Sequence, residues 1–423
     1  KNGGDIMEVQ ETKGYTLEEI GFILNEKGKV ESFISEKFVD SFLEFNKVIR
    51  EKDTNSFLFL NNGLWEYQNQ MEITRKCKDF IDKVEQYLWK MSYEKNIMHF
   101  LELKVPEVEK VNPYRHIIPF KDFDFDFKQG GIVEKSTDNY FTYAKDITEA
   151  QLFDAKAPNF EKLLGDITQG DNDFRRYLLQ AMGILISGIN LTNSIFILYG
   201  NGRNSKSLFI KLIEHLIGKN YVTSRKIESF NKQFGLDGLE TAKLVTCGEI
   251  DISKPVNMEM AKSITGGDTV EVDGKFKDIK AVKMSLNFLF STNNLFQIAD
   301  DSDGVKRRLH VVEFAYQVPE DKVDLHLFEK LKQEEAGIFK LILDAYSDMI
   351  SADGKLSFVM SENVKEFTKR YIDQYLVSRS KTKKIEEQQE CIDFISTYFD
   401  KGTQSDKISK AVVYDLFCQE IMD

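Results

Sequence analysis

Residues 194–218 read SIFILYGNGRNSKSLFIKLIEHLIG, and the reading of this stretch decides the fold. Ile195 to Tyr199 form a short, unbroken apolar run, the pattern of a strand buried on both faces, and the run stops at Gly200. Beyond the loop, Leu208, Phe209, Leu212, Ile213, Leu216 and Ile217 recur every three to four residues, which predicts a helix ending near Gly218. Strand, glycine-containing loop and helix together are the setting of a phosphate-binding loop. The loop Gly200, Asn201, Gly202, Arg203, Asn204, Ser205, Lys206, Ser207 fits G-x-x-x-x-G-K-[ST] except at Ser205, where glycine is expected. Such a loop turns backbone N–H groups toward phosphate oxygens at a helix N-terminus. Lys206 adds a point charge for the outer phosphates, and Ser207 offers a hydroxyl to Mg²⁺, a cation that prefers oxygen donors. A serine at 205 enters the left-handed backbone region only at a steric cost that glycine escapes.

Two further apolar runs downstream read as core strands. Lys243 to Cys247 leads into GEID, where Glu249 and Asp251 stand two apart at a strand end and form a candidate metal-directing pair. Leu286 to Phe290 ends in Ser291-Thr292-Asn293-Asn294, placing a neutral polar residue, Asn293, at a strand tip that could orient an attacking water. Between them, SITGGDTVEVDGKFKDIKAVK carries a short β-prone run and four lysines, at 275, 277, 280 and 283, which suits contact with a phosphate backbone without reading bases. GVKRRLHVVEF then sets Arg307 and Arg308 before an apolar strand, a position from which a guanidinium could complete a neighbouring subunit's site.

Composition bounds the rest. The chain has 423 residues, enough for two to three domains, and a net charge of −12, which argues against a surface that grips nucleic acid everywhere while leaving room for a local basic channel. Four cysteines without a C-x-x-C pair and five histidines indicate neither a zinc site nor a disulfide framework, and a reducing cytoplasm fits. Neither a membrane span nor a signal peptide is read, and both termini look like edges of a longer protein. Toward the N-terminus, Phe33, Phe38, Phe42, Phe45 and Val48 predict one helical stripe, with these aromatics serving as core rather than as base-stacking platforms. Ser56 to Leu60 and Leu64 to Tyr67, split by Asn-Asn-Gly, predict a hairpin. The alternation of Asp122, Asp124 and Asp126 with phenylalanines predicts a half-exposed strand rather than a metal site.

Taken in order, GNGRNSKS, LVTCGEID, TGGDTVEVDGKFK, the strand with STN and DGVKRRLHVVEF resemble the superfamily 3 helicases, in particular the helicase part of phage- and plasmid-type primase-helicases and replication initiators. The resemblance runs from about Phe57 to Leu376. It implies an α/β fold, an AAA+-like P-loop ATPase core with a mixed helical and β-containing N-terminal region and a helical C-terminal region. The expected divisions are 1–110, mostly helical; 111–192, a collar-type domain; 193–320, the ATPase core; 321–378, helical; and 379–423, a linker and the start of a winged-helix domain. By the same resemblance Lys206 and Ser207 bind ATP and Mg²⁺, Glu249 and Asp251 share metal coordination and water activation, and Asn293 is the polar sensor. Arg307 or Arg308 is the arginine finger, and Lys275 and Lys277 line a central DNA channel. The implied activity is ATP-dependent unwinding by a homo-hexamer on single-stranded and forked DNA, with a primase or other replication proteins as further partners and no membrane. Asp273, where many members carry a basic residue, departs from the pattern. The alternatives are an initiator that melts an origin without processive unwinding and a ring ATPase that remodels protein.

Overall fold

The computed structural model describes residues 14–232, 234–248, 250, 252–273, 279–378, 382, 385 and 413. The chain divides into two compact units, one of residues 1–125 and 132–149, the other of residues 126–131 and 150–423. The division falls inside the segment 111–192.

In the first unit a four-stranded sheet runs in the order Leu64–Gln68, Ser56–Asn61, Val48–Glu51, Glu107–Val108. The Asn-Asn-Gly signal makes the hairpin turn: Asn62 and Gly63 both take positive φ, 48° and 80°, the twist that matches paired strands. Helix Gln70–Val84 opens on a capping box, Asn69 Oδ1 accepting from Glu72 N at 3.0 Å and the Glu72 carboxylate accepting from Asn69 N at 2.7 Å. The aromatic stripe does not lie on one helix. Only Ser35–Phe45 is helical, whereas Phe33 ends the strand Val30–Phe33 and Val48 begins the next, because the extended Asn46 interrupts the periodicity. Phe38, Phe42, Phe59 and Phe80 converge in a buried cluster with ring centroids 5.6 to 6.1 Å apart, so these rings are core. Trp65 is buried with its indole N–H donating to Thr137 O at 2.8 Å.

The acidic strand Phe123–Asp126 differs from the half-exposed strand expected of its alternation: all four residues are buried. Asp124 is fully enclosed, with Asn139 Nδ2 donating to it at 3.0 Å, and burial raises its carboxyl above the usual range. Alternation signals which side chains share a face; it does not say whether the opposite face is covered.

The second unit contains a five-stranded, wholly parallel sheet in the order Val222–Ser224, Leu244–Cys247, Asn287–Thr292, Ile195–Tyr199, Leu309–Glu313. Both faces are covered, which is why the strands read as continuous apolar runs. On one face Ile195 and Ile197 join Val256, Ala261, Ile264 and Tyr371 in a common core. On the other, Phe196 packs on His310, which stacks on Tyr177 of helix Asn172–Ile186, and that helix packs so closely on helix Glu335–Ser347 that a Cβ at Gly183 would lie 2.8 Å from the Tyr346 ring. The outer edge strand is capped by helix Glu362–Tyr375, whose Thr368 hydroxyl accepts from Val311 N at 2.9 Å. The chain leaves Ile195–Tyr199 toward one edge of the sheet and Asn287–Thr292 toward the other. Connections that part in this way open a crevice at the carboxyl ends of the two adjacent strands, where ligands bind in open α/β sheets.

Candidate phosphate-binding site

The loop after Ile195–Tyr199 lies in that crevice, and helix Lys206–Ile217 follows it, ended by Gly218. Tyr199 and Thr292 are level in the sheet, and Gly200 N donates to Thr292 O at 3.3 Å. Gly202, Arg203 and Ser205 take positive φ of 87°, 47° and 63°, the alternation of backbone handedness that makes a concave nest of N–H groups for an anion. Position 205 thus occupies the left-handed conformation that its serine enters against a steric penalty. Gly200 is required for a different reason: a Cβ there would sit 2.0 Å from Asn204 Nδ2 and 2.6 Å from Phe314 O.

Lys206 is only 4% exposed. Its ammonium donates to Asn204 Oδ1 and Asn293 Oδ1, each at 3.0 Å, and to Gly200 O. Among the described residues these acceptors are neutral oxygens, so nothing there offsets the charge, and burial pushes the amine below the usual lysine range. Thr292 holds Asn293 at the strand tip by hydrogen-bonding to both the N and the O of Asn294. The two candidates that sequence places 87 positions apart are therefore joined across the crevice. Ser207, one residue into the helix, is exposed. Its hydroxyl suits an oxygen-preferring cation at the loop mouth. Glu249 and Asp251 lie outside the described residues, as do Lys275 and Lys277 and nearly all of 379–423. The stem of the lysine-bearing segment is described: Thr269–Val272 pairs antiparallel with Lys280–Lys283.

The two arginines have different environments. Arg308 is buried, its Nε donating to Thr265 Oγ1 at 3.2 Å and a terminal nitrogen to Gly304 O at 2.6 Å, which fastens helix Glu259–Gly266 to the sheet. Arg307 is exposed, and its guanidinium has no partner among the described residues. Ile195 N donates to Arg308 O at 2.7 Å, so both arginines stand at the amino end of the strand whose carboxyl end carries the phosphate loop. A strand of this length separates the two ends by roughly 13 Å.

Two features escape the sequence reading. A cleft of about 340 Å³ beside the hairpin stem is lined by Phe230, Lys232, Phe234, Met260, Glu271 and Asp273 among others, and Phe234 takes a φ of 60° with 38% of its surface exposed. The segment 314–320 is sewn along the phosphate loop. Neither has a periodic or motif signal, because each follows from where the sheet delivers the chain.

A family model described as "Family of unknown function (DUF5906)" matches residues 198–308, from within the loop's strand to the second arginine. A protein of Acanthamoeba polyphaga mimivirus named "Putative helicase" is 24% identical over 288 residues, covering 66% of this chain and 26% of that protein. The chain thus spans about a quarter of this distant viral relative. Solved structures of the NrS-1 C-terminal region overlie 78 to 80% of this chain and 73 to 76% of theirs at 14% identity, with TM-scores of 0.45 to 0.47. No helix among the described residues is long and apolar enough to cross a membrane.

Proposed function

We propose that the second unit is an AAA+-like P-loop ATPase of the superfamily 3 type that unwinds DNA as a ring. The observation that carries this reading is the buried Lys206 ammonium joined to Asn293 across the crevice, with no carboxylate against it among the described residues. A desolvated cation at the mouth of an N–H nest is suited to a polyanion, and ATP is the polyanion that the loop pattern fits. In this reading Lys206 meets the outer phosphates and Ser207 holds Mg²⁺ together with Glu249 and Asp251. The metal would draw charge from the transferring phosphoryl group, and Asn293 would orient the water that attacks it. Arg307 is the better finger, since Arg308 is engaged within its own subunit, and their distance from the loop of that subunit favours action on a neighbour's nucleotide. Lys275 and Lys277 would meet the backbone of a single strand, with Phe234, in the cleft beside Thr269–Val272, offering a ring to its bases.

The test is ATP hydrolysis with and without single-stranded DNA, paired with a mass measurement of the assembly. DNA-stimulated turnover by a hexamer, lost in Lys206→Ala, is expected. Turnover indifferent to DNA would favour a ring ATPase acting on protein, and turnover unchanged in Lys206→Ala would overturn the site itself.

A further inference from the structure

Beyond the last strand of the parallel sheet, Leu309–Glu313, the chain runs as a strap along the outside of the phosphate loop. Phe314 N donates to Tyr199 O at 2.8 Å, Asn204 Nδ2 donates to Phe314 O at 3.1 Å, and Val318 N donates to Arg203 O at 2.8 Å. An ion pair between Arg203 and Glu320 fastens the far end. These contacts fix both ends of the three residues between Phe314 and Val318. Burial alternates along the strap: Phe314 is buried, Tyr316 and Val318 are half-buried, and Ala315 and Gln317 are exposed. Tyr316 therefore shares the inward side with Phe314, whose ring meets Phe209 of the loop's own helix at 5.5 Å. Nearby rings are engaged, Phe314 with Phe209 and Tyr199 with Phe367, whereas Tyr316 has no ring contact, hydrogen bond or ion pair among the described residues.

We propose that this strap is the wall against which the base of a bound nucleoside triphosphate rests, and that Tyr316 is its stacking platform. The inference rests on the phosphate-loop reading above. Phosphates held by the nest and Lys206 leave the sugar and base to exit along a flank of the loop, and the strap is the flank that presents an unengaged aromatic face. Stacking recognises the π-face that every base has, so it supplies affinity without selecting among bases. The ligand class is a nucleoside triphosphate, whichever base it carries.

The experiment is calorimetric titration of wild type, Tyr316→Ala, Tyr316→Phe and Lys206→Ala with ATP, GTP and inorganic tripolyphosphate. Tyr316→Ala should weaken ATP and GTP roughly tenfold, a typical loss for one base-stacking ring, and leave tripolyphosphate unchanged, while Tyr316→Phe keeps the affinity. Unchanged tripolyphosphate binding also shows that the variant loop is folded. Wild-type affinity for ATP in Tyr316→Ala would overturn the inference alone. An equal loss of tripolyphosphate would do the same, because the strap would then be shaping the loop rather than touching the base. If wild type binds neither ATP nor tripolyphosphate, or Lys206→Ala binds both as wild type does, the phosphate-site reading fails and this inference with it.

Discussion

Ser205 holds a backbone conformation that costs a non-glycine residue roughly 1 to 2 kcal/mol, at a φ of 63° in the loop that would cradle phosphate. Ser205→Gly relieves that cost and should preserve or raise ATP affinity. Weaker binding by calorimetry would assign the serine hydroxyl a role of its own. His310 carries a different cost. It is buried between Tyr177, whose hydroxyl lies 2.9 Å from Nδ1, and Ser194, whose hydroxyl lies 3.0 Å from Nε2, with Phe358 stacked on the ring. Burial lowers its pKa from 6.5 to about 4. The unfolded chain therefore takes up a proton near pH 6.5, and the folded chain does so only near pH 4. Stability is intact above that window, falls as pH drops through it, and loses about 3 kcal/mol from this group by its lower end. Urea denaturation at pH 7 and pH 4.5 should show the fall, and His310→Gln should flatten it. An equal fall in that variant would assign the acid sensitivity to carboxylates instead.

The lysine-bearing segment has a defined stem, with Thr269 opposite Lys283 and Val272 opposite Lys280. These paired strands flank Lys275 and Lys277 in sequence, which is what a strand-binding role for the two lysines would use. Replacing both lysines with alanine should lower single-strand affinity across all sequences, flatten its salt dependence and abolish unwinding, because backbone contacts of this kind act by counterion release. A salt titration of single-strand binding for wild type and the double variant reads this directly. An unchanged slope would return the hairpin to a surface loop. The stem is also where the chain's motif order and its topology meet, since it is inserted between the strands Leu244–Cys247 and Asn287–Thr292 that neighbour one another in the sheet.

At the scale of the molecule, the arginine pair and the phosphate loop sit at opposite ends of one strand, so if Arg307 is a finger, the proposed reading has it serve the loop of another copy. Arg307→Ala should bind ATP normally and hydrolyse it about 10³-fold more slowly. Adding Lys206→Ala subunits should then restore part of the activity, because some interfaces combine an intact loop with an intact finger. Failure to recover in mixed assemblies of verified composition would argue against action in trans. Arg308→Ala should instead lower thermal stability, since it strips the buried Thr265 hydroxyl and the half-buried Gly304 carbonyl of their shared partner.

The local grammar of the chain was decided by sequence: the strand Ile195–Tyr199, the loop, the helix closed by Gly218 and the Asn-Gly hairpin all follow from side-chain periodicity and backbone permissiveness, which act over a few residues. Sequence also named Lys206 and Asn293 as candidates. That the two touch was decided by the order of the parallel strands, which brings residues 87 positions apart to one crevice. The same tertiary arrangement separated Arg307 from Arg308, chemically identical neighbours of which one turns inward to Thr265 and the other outward to solvent. It buried Asp124, whose alternating pattern reads as half-exposed, and laid Tyr316 along the loop, where no motif marks it. Burial and proximity belong to the packed whole. A pattern of residue types fixes which faces are apolar, and only the packing of sheet on helix fixes what each face meets.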